Sequence, residues 1–209
     1  EATAGRLQQM LGDAFTIDWG DGVEKIYNKV KPSWTYGSEI TGKLGASKTI
    51  TIKGDITYLE IKEMQISAAT FANTKLKEVD MEKNQLTDFN LSGLPEVTKL
   101  SLNDHSIVTF SSTGNSVLKN RGLKSNKIDS HQFEISSLAN SLEQLNVSEN
   151  GENFVALNLI NFDKLQYFTA NDNPELTTVV FYDGSTNLKQ ISMNNCHIMH
   201  FYAISLPNL

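Results

Sequence analysis

In the stretch LKEVDMEKNQLTDFNL, apolar residues fall at Leu76, Val79, Met81, Leu86, Phe89 and Leu91. A single amphipathic helix would repeat at i, i+3 and i+4, and a single strand would alternate throughout. This stretch does neither. It holds two short alternating runs, Val79-x-Met81 and Phe89-x-Leu91, divided by a polar turn around Asn84. Alternation turns both apolar residues of each run to one side, so each run predicts a short strand with one buried face.

The same form returns down the chain. Ile56, Leu76, Val97, Leu118, Leu142, Leu165 and Leu188 open successive copies, 20 to 24 residues apart. Asn84, Asn126, Asn150 and Asn173 hold the turn position, while Met64, His105 and Cys196 hold it in other copies. An asparagine side chain both donates and accepts, so it can satisfy loop backbone groups in its own coil and the next. The return limb, LTDFNL in the second copy, is too short and too regularly alternating for a helix. It predicts a second row of short strands on the convex side.

A period of 20–29 residues with L-x-x-L-x-L-x-x-N/C-x-L is the leucine-rich repeat pattern. The expected fold is therefore an α/β-class leucine-rich repeat solenoid, strongly β-dominated, with short parallel strands. Residues 1–55 are expected to form a β-rich N-terminal cap, because the open end of a solenoid exposes core. Residues 56–209 form about seven coils and end mid-repeat, with Leu209 opening an eighth. That ending predicts either further chain or stacking of two open ends into an end-to-end dimer.

Within the first region, FTIDWGDGVEKIY reads as a hairpin turning at Asp21-Gly22. A two-residue turn there pairs Gly20 with Val23, Asp18 with Lys25 and Ile17 with Ile26, and puts Phe15, Ile17 and Trp19 on one face. Further strands are expected near Thr35–Leu44 and Lys48–Lys53.

IDWGDG, followed by ITIKGDITYLEI leading into the repeats, resembles the surface leucine-rich repeat proteins of Bacteroides-type gut bacteria. The WGDG hairpin is also similar to polycystic-kidney-disease-like β-domains. The resemblance implies export, with the protein secreted or anchored on the outer surface, and binding of proteins or host matrix, as in adhesion. It carries no shared catalytic residues. The chain begins at Glu1, so a signal peptide, if removed by processing, lies outside it.

Charge and composition narrow the functions. Of the net −6, none arises from residues 1–55, which hold seven basic and seven acidic residues, so the repeats carry all of it. An acidic repeat region argues against bulk nucleic-acid binding, which needs a basic face. No apolar run approaches the length of a membrane-spanning helix. The single cysteine, Cys196, rules out an intrachain disulfide. P-loop, G-x-G-x-x-G, G-x-S-x-G and H-E-x-x-H motifs are absent, and the four histidines are scattered, so no enzyme and no cofactor are expected.

The repeat register lists the concave face. Tyr58, Glu78, Lys99, Asn120, Gln144, Tyr167 and Gln190 form one column, and Glu60, Asp80, Ser101, Gly122, Asn146, Thr169 and Ser192 the next. Lys62, Glu82, Asn103, Lys124, Ser148, Asn171 and Asn194 form the third. The expected binding residues for a protein or glycan are Tyr58, Asp80, Asn103, Asn146, Tyr167, Asn171 and Asn194. A second contact patch is expected where Val180, Tyr182, His200 and Tyr202 point outward from the convex limb. Arg121 occupies a core aliphatic position beside His131 at another. Its stem is expected to lie along the core with the charge reaching out, or to join Lys119, Lys124 and Lys127 in an anion site. Cys196, His197 and His200 lack a fourth ligand for zinc. A hairpin turn explains Asp18 and Asp21 without calcium, so no metal site is assigned.

Overall fold

The computed structural model describes residues 4–7, 9–30, 40–43, 45, 49–72, 75–181, 187–203 and 206–208. It is a strand-dominated parallel β-solenoid of about seven turns. Among the described residues the helices are two short 3-10 turns, Ser130–Gln132 and Ser136–Leu138. None is long and apolar enough to cross a membrane.

The Val79-x-Met81 type of run forms the concave row. Its strands are Glu78–Asp80, Lys99–Ser101, Asn120–Gly122, Gln144–Asn146, Tyr167–Thr169 and Gln190–Ser192, each paired in parallel with the next. The register joins Tyr58, Glu78, Lys99, Asn120, Gln144, Tyr167 and Gln190 in one line, as the repeat spacing predicts. The middle residue of each strand points into the core, so Val79, Leu100, Leu145 and Phe168 are almost fully buried.

The return limbs form the second row. Asp88–Asn90, Thr109–Ser111 and Phe133–Glu134 make one parallel sheet, and Ala156–Asn158, Thr178–Phe181 and His200–Ala203 another. The two sheets part where the 3-10 turn Ser136–Leu138 takes up the longer coil. Phenylalanines of this row stack in a spine, Phe71–Phe89–Phe110–Phe133–Phe154, with centroids 6.3, 6.4, 6.1 and 5.9 Å apart. Such offset and edge-on contacts add to the area they bury.

The turns are built alike. The residue just before each ladder position has a left-handed backbone: Glu63, Lys83, Asp104, Ser125, Glu149, Asp172 and Asn195, with φ between 55° and 59°. That conformation turns the amide of six of them onto a carbonyl of the next coil, from Glu63 N to Glu82 O at 3.3 Å through Asp172 N to Asn194 O at 2.8 Å. The asparagines behave as expected. Asn150 donates from Nδ2 to the carbonyls of Leu123, Val147 and Ser148 at 3.0, 2.8 and 3.1 Å, while its Oδ1 accepts from Ile128 N at 3.2 Å. His105 substitutes with Nδ1 accepting from Leu86 N at 3.3 Å. Cys196 Sγ lies 2.9 Å from Ala170 O, so it serves the ladder.

The N-terminal strands continue the concave sheet. Gln9–Asp18 pairs antiparallel with Glu24–Val30 on one side and with Thr49–Glu60 on the other. Thr49–Glu60 is longer than the strand expected at Lys48–Lys53 and crosses residue 55. It runs through Gly54, whose φ is 107°, and its two halves serve different neighbours. Thr49 to Lys53 pair with Ala68–Ala72, and Tyr58 to Glu60 pair with Glu78–Asp80. Ile40–Lys43 is a strand paired with Ala4–Leu7, while the rest of the expected Thr35–Leu44 strand lies outside the described residues.

Two local expectations fail. The hairpin register is one residue off: Asp18 faces Glu24, Ile17 faces Lys25 and Thr16 faces Ile26. The turn is longer than Asp21-Gly22 because Asp18 Oδ1 accepts from Gly20 N at 2.8 Å and Gly22 N at 3.1 Å, wrapping the chain around its carboxylate. Asp18 therefore does not oppose Lys25. Phe15, Ile17 and Trp19 do share a buried face, and Trp19 Nε1 donates to Tyr27 Oη at 3.2 Å. His131 is not a core residue. It sits in the 3-10 turn capped by the Asp129 carboxylate and is exposed, with Ile135 and Leu138 buried just beyond it.

Candidate functional site

Side chains at either end of each concave strand point away from the core and line an open depression of about 490 Å³. Its walls come from six coils. Tyr58 stands at one end, Tyr167 and Thr169 at the other, with Glu78, Asp80, Lys99, Ser101, Asn120, Gly122, Gln144 and Asn146 between.

The N-terminal half is charged, with carboxylates outnumbering lysines and both lysines ion-paired. Lys62 Nζ lies 2.7 Å from Asp80 Oδ2 and 3.5 Å from Glu82 Oε2, and Lys99 Nζ lies 2.9 Å from Glu78 Oε1. Glu82 also accepts from Ser101 Oγ at 2.6 Å and Asn103 Nδ2 at 2.8 Å. Burial pushes the Glu82 carboxyl up, but these hydrogen bonds and Lys62 outweigh it and hold it below its ordinary value. Asp80 goes the other way: burial, joined by the neighbouring Glu82 charge, outweighs Lys62 and holds its carboxyl above the ordinary value. Tyr58 Oη donates to Glu60 Oε2 at 2.9 Å, and burial followed by that hydrogen bond pushes the phenol well above its usual range.

The C-terminal half is uncharged. Asn146 Oδ1 accepts from Ser148 N at 3.0 Å, which leaves its amide nitrogen without a partner among the described residues. The side chains of Asn120, Gln144 and Thr169 have no hydrogen-bond partner among the described residues. Tyr167 is 40% exposed, with Lys189 Nζ 5.9 Å from its ring centroid.

Of the expected binding residues, Tyr58, Asp80, Asn146 and Tyr167 line the depression. Asn103, Asn171 and Asn194 do not; they brace the turn-side margin. Asn103 Oδ1 accepts from Lys124 N at 2.9 Å, and Asn171 Oδ1 accepts from Ser192 Oγ and from Asn194 N, both at 2.8 Å. Asn194 Nδ2 reaches Ser192 Oγ at 3.2 Å. Asn120, Gln144 and Thr169 also line it; the column register contains all three, but nothing in the sequence singles them out. The signal that separates them is whether the neighbouring coil supplies a partner.

On the convex limb, Val180 pairs with Tyr202 across adjacent strands, and the His200 and Tyr202 rings stack 6.1 Å apart with an interplanar angle of 7°. These three lie together as expected, and Tyr182 lies outside the described residues.

The anion cluster is not formed. Lys119 pairs with Glu143 at 3.0 Å and Lys124 with Glu149 at 2.9 Å, while the Arg121 guanidinium points into the core rather than out. Arg121 is 3% exposed, and its Cζ lies 3.3 Å from the Phe110 ring centroid and 4.8 Å from that of Phe133. The charge does not reach solvent because two aromatic faces of the spine hold it inside. None of its three nitrogens has a hydrogen-bond partner among the described residues.

Comparison with known proteins finds no matching protein-family model, no matching curated protein and no matching solved structure.

Proposed function

We propose that this chain is a non-enzymatic recognition module of the leucine-rich repeat type, with its N-terminal strands acting as a cap. It binds a protein or glycan partner on its concave face, as a secreted or surface-anchored bacterial protein engaged in adhesion. The observation that carries this reading is the depression running across six coils, in which charged side chains are paired within the chain while a set of amides and one aromatic ring remain open to a ligand. A rigid sheet that presents unspent polar groups in register is suited to recognition, since little ordering entropy is lost on binding. The test is binding of the purified chain to immobilised matrix proteins, mucins and glycans. Retention that Tyr167→Ala abolishes while Tyr202→Ala leaves it intact supports the concave face. Retention lost only in Tyr202→Ala moves the site to the convex patch.

A second reading is a structural component that self-associates end to end. It is favoured by the exposed apolar side chains of Met199, Phe201 and Tyr202. Light scattering across a range of concentrations decides it: a mass that stays at one chain removes this reading.

A further inference from the structure

We propose that the ligand of the concave depression is an uncharged, hydroxyl-rich chain, a neutral oligosaccharide, seated over Asn120, Gly122, Gln144 and Asn146 with a sugar face against Tyr167. This inference rests on the concave-face reading and narrows it.

Three observations select the ligand chemistry. First, the charged groups lining the depression lie toward its N-terminal end and are ion-paired within the chain, Glu78 with Lys99 at 2.9 Å and Asp80 with Lys62 at 2.7 Å, so the floor around Asn120, Gln144 and Asn146 carries no charge of its own. Second, the groups left over are neutral and can both donate and accept: the Asn120 and Gln144 amides and the Thr169 hydroxyl, together with the Asn146 Nδ2 donor. Sugar hydroxyls need this mixture, because each is donor and acceptor at once. Third, the depression presents aromatic surface beside its amides: Val79, Leu100 and Leu145 are 1%, 3% and 2% exposed, while Tyr58 at one end is half-buried and Tyr167 at the other is 40% exposed. An aromatic ring flanked by amides matches the alternation of C–H faces and hydroxyl edges on a pyranose.

Geometry agrees. Gly122 raises no side chain in the middle of its column, and the Asn103 amide lies against it: a Cβ there would stand 2.8 Å from Asn103 Oδ1. The floor is therefore low between Asn120 and Asn146. Adjacent strands of a sheet lie about 4.8 Å apart, so the open amides recur at a spacing that successive sugar rings of an extended chain can follow.

The test is titration of the intact chain with cellohexaose, maltohexaose, mannohexaose and xylohexaose, and with heparin and oligogalacturonate hexasaccharides as charged controls, followed by calorimetry and backbone amide shifts. At least one hexasaccharide is expected to bind, with affinity changing less than about twofold between low salt and about 0.5 M salt. Tyr167→Ala, and separately Gln144→Ala, should each weaken it at least about tenfold, and Tyr202→Ala should leave it unchanged. Asn120→Ala provides a second amide variant, and circular dichroism confirms that each variant is folded. Binding to none of the four overturns the proposal. So does binding confined to sulfated or uronic-acid glycans that fades with salt. A parallel panel of immobilised proteins separates the two failures. If a protein binds and Tyr167→Ala abolishes it, recognition by the concave face stands and the glycan assignment falls. If neither panel binds, both fall.

Discussion

Arg121 stands in a ladder of aliphatic and aromatic residues, between Leu100 and Leu145, and carries its guanidinium into the core. Arginine keeps its proton in proteins, although burial lowers its pKa well below the ordinary value, with the Glu134 charge acting against this. Its ring contacts with Phe110 and Phe133 recover part of the cost, about 2 kcal/mol or more for a desolvated cation–π contact. Against that stand an effective desolvation penalty of several kcal/mol per buried ion and the buried N–H donors left without partners, each costing about 1–3 kcal/mol. The cost exceeds the gain, so replacing Arg121 by an apolar residue of similar length should stabilise the fold. Arg121→Met is expected to add about 1–4 kcal/mol, the range seen when buried ionic groups give way to packed apolar ones. In a chain of this size each kcal/mol moves Tm by about 2–4 °C, so the variant should melt several degrees higher. Thermal unfolding followed by circular dichroism measures this, and Arg121→Leu beside it separates charge removal from length. A fall in Tm for both variants would refute the reasoning and show that the guanidinium–phenylalanine stack outweighs the desolvation of the charge.

Other predictions follow from the turn ladder. Asn150→Ala removes the partner of three buried carbonyls and one amide, so at about 1–3 kcal/mol per orphaned group it should destabilise by at least about 3 kcal/mol in denaturant titration. His105 has its pKa lowered to about 4, chiefly by burial. The unfolded chain, with histidine near 6.5, therefore binds the extra proton first as pH falls. The contribution of neutral His105 is full above about pH 6.5 and is lost as pH drops toward 4, by up to about 3 kcal/mol. His105→Asn, which restores the ladder residue, should flatten the difference in stability between pH 7 and pH 4 relative to the parent. An equal slope in both proteins would exclude this role. Lys83, with φ 56° and an exposed side chain, loses only a surface ion pair to Glu63 on mutation. Lys83→Gly should raise stability by a few tenths to about 1 kcal/mol, because left-handed backbone is costly for an L side chain, and a lower Tm would contradict it.

The repeat itself was legible because it is local. Alternation within three residues and a turn residue at fixed offset determine which side chains face inward, so both strand rows, the first two of the three concave columns and the Asn84, Asn126, Asn150 and Asn173 ladder follow from the sequence alone. So does the burial of Phe15, Ile17 and Trp19 on one face. What the sequence could not decide depends on partners one coil away or on a side-chain rotamer. The hairpin register turned on the Asp18 carboxylate capturing two amides rather than on the Asp21-Gly22 dipeptide. Asn103 and Asn171 look like binding residues by column, yet each is held by the next coil, whereas Asn120 and Gln144 meet no partner there. Arg121 occupies an inward position by pattern, but only tertiary packing placed Phe110 and Phe133 so as to hold its charge within the core. Short-range periodicity determines which way a side chain points; contacts across a coil and between neighbouring coils decide what it meets.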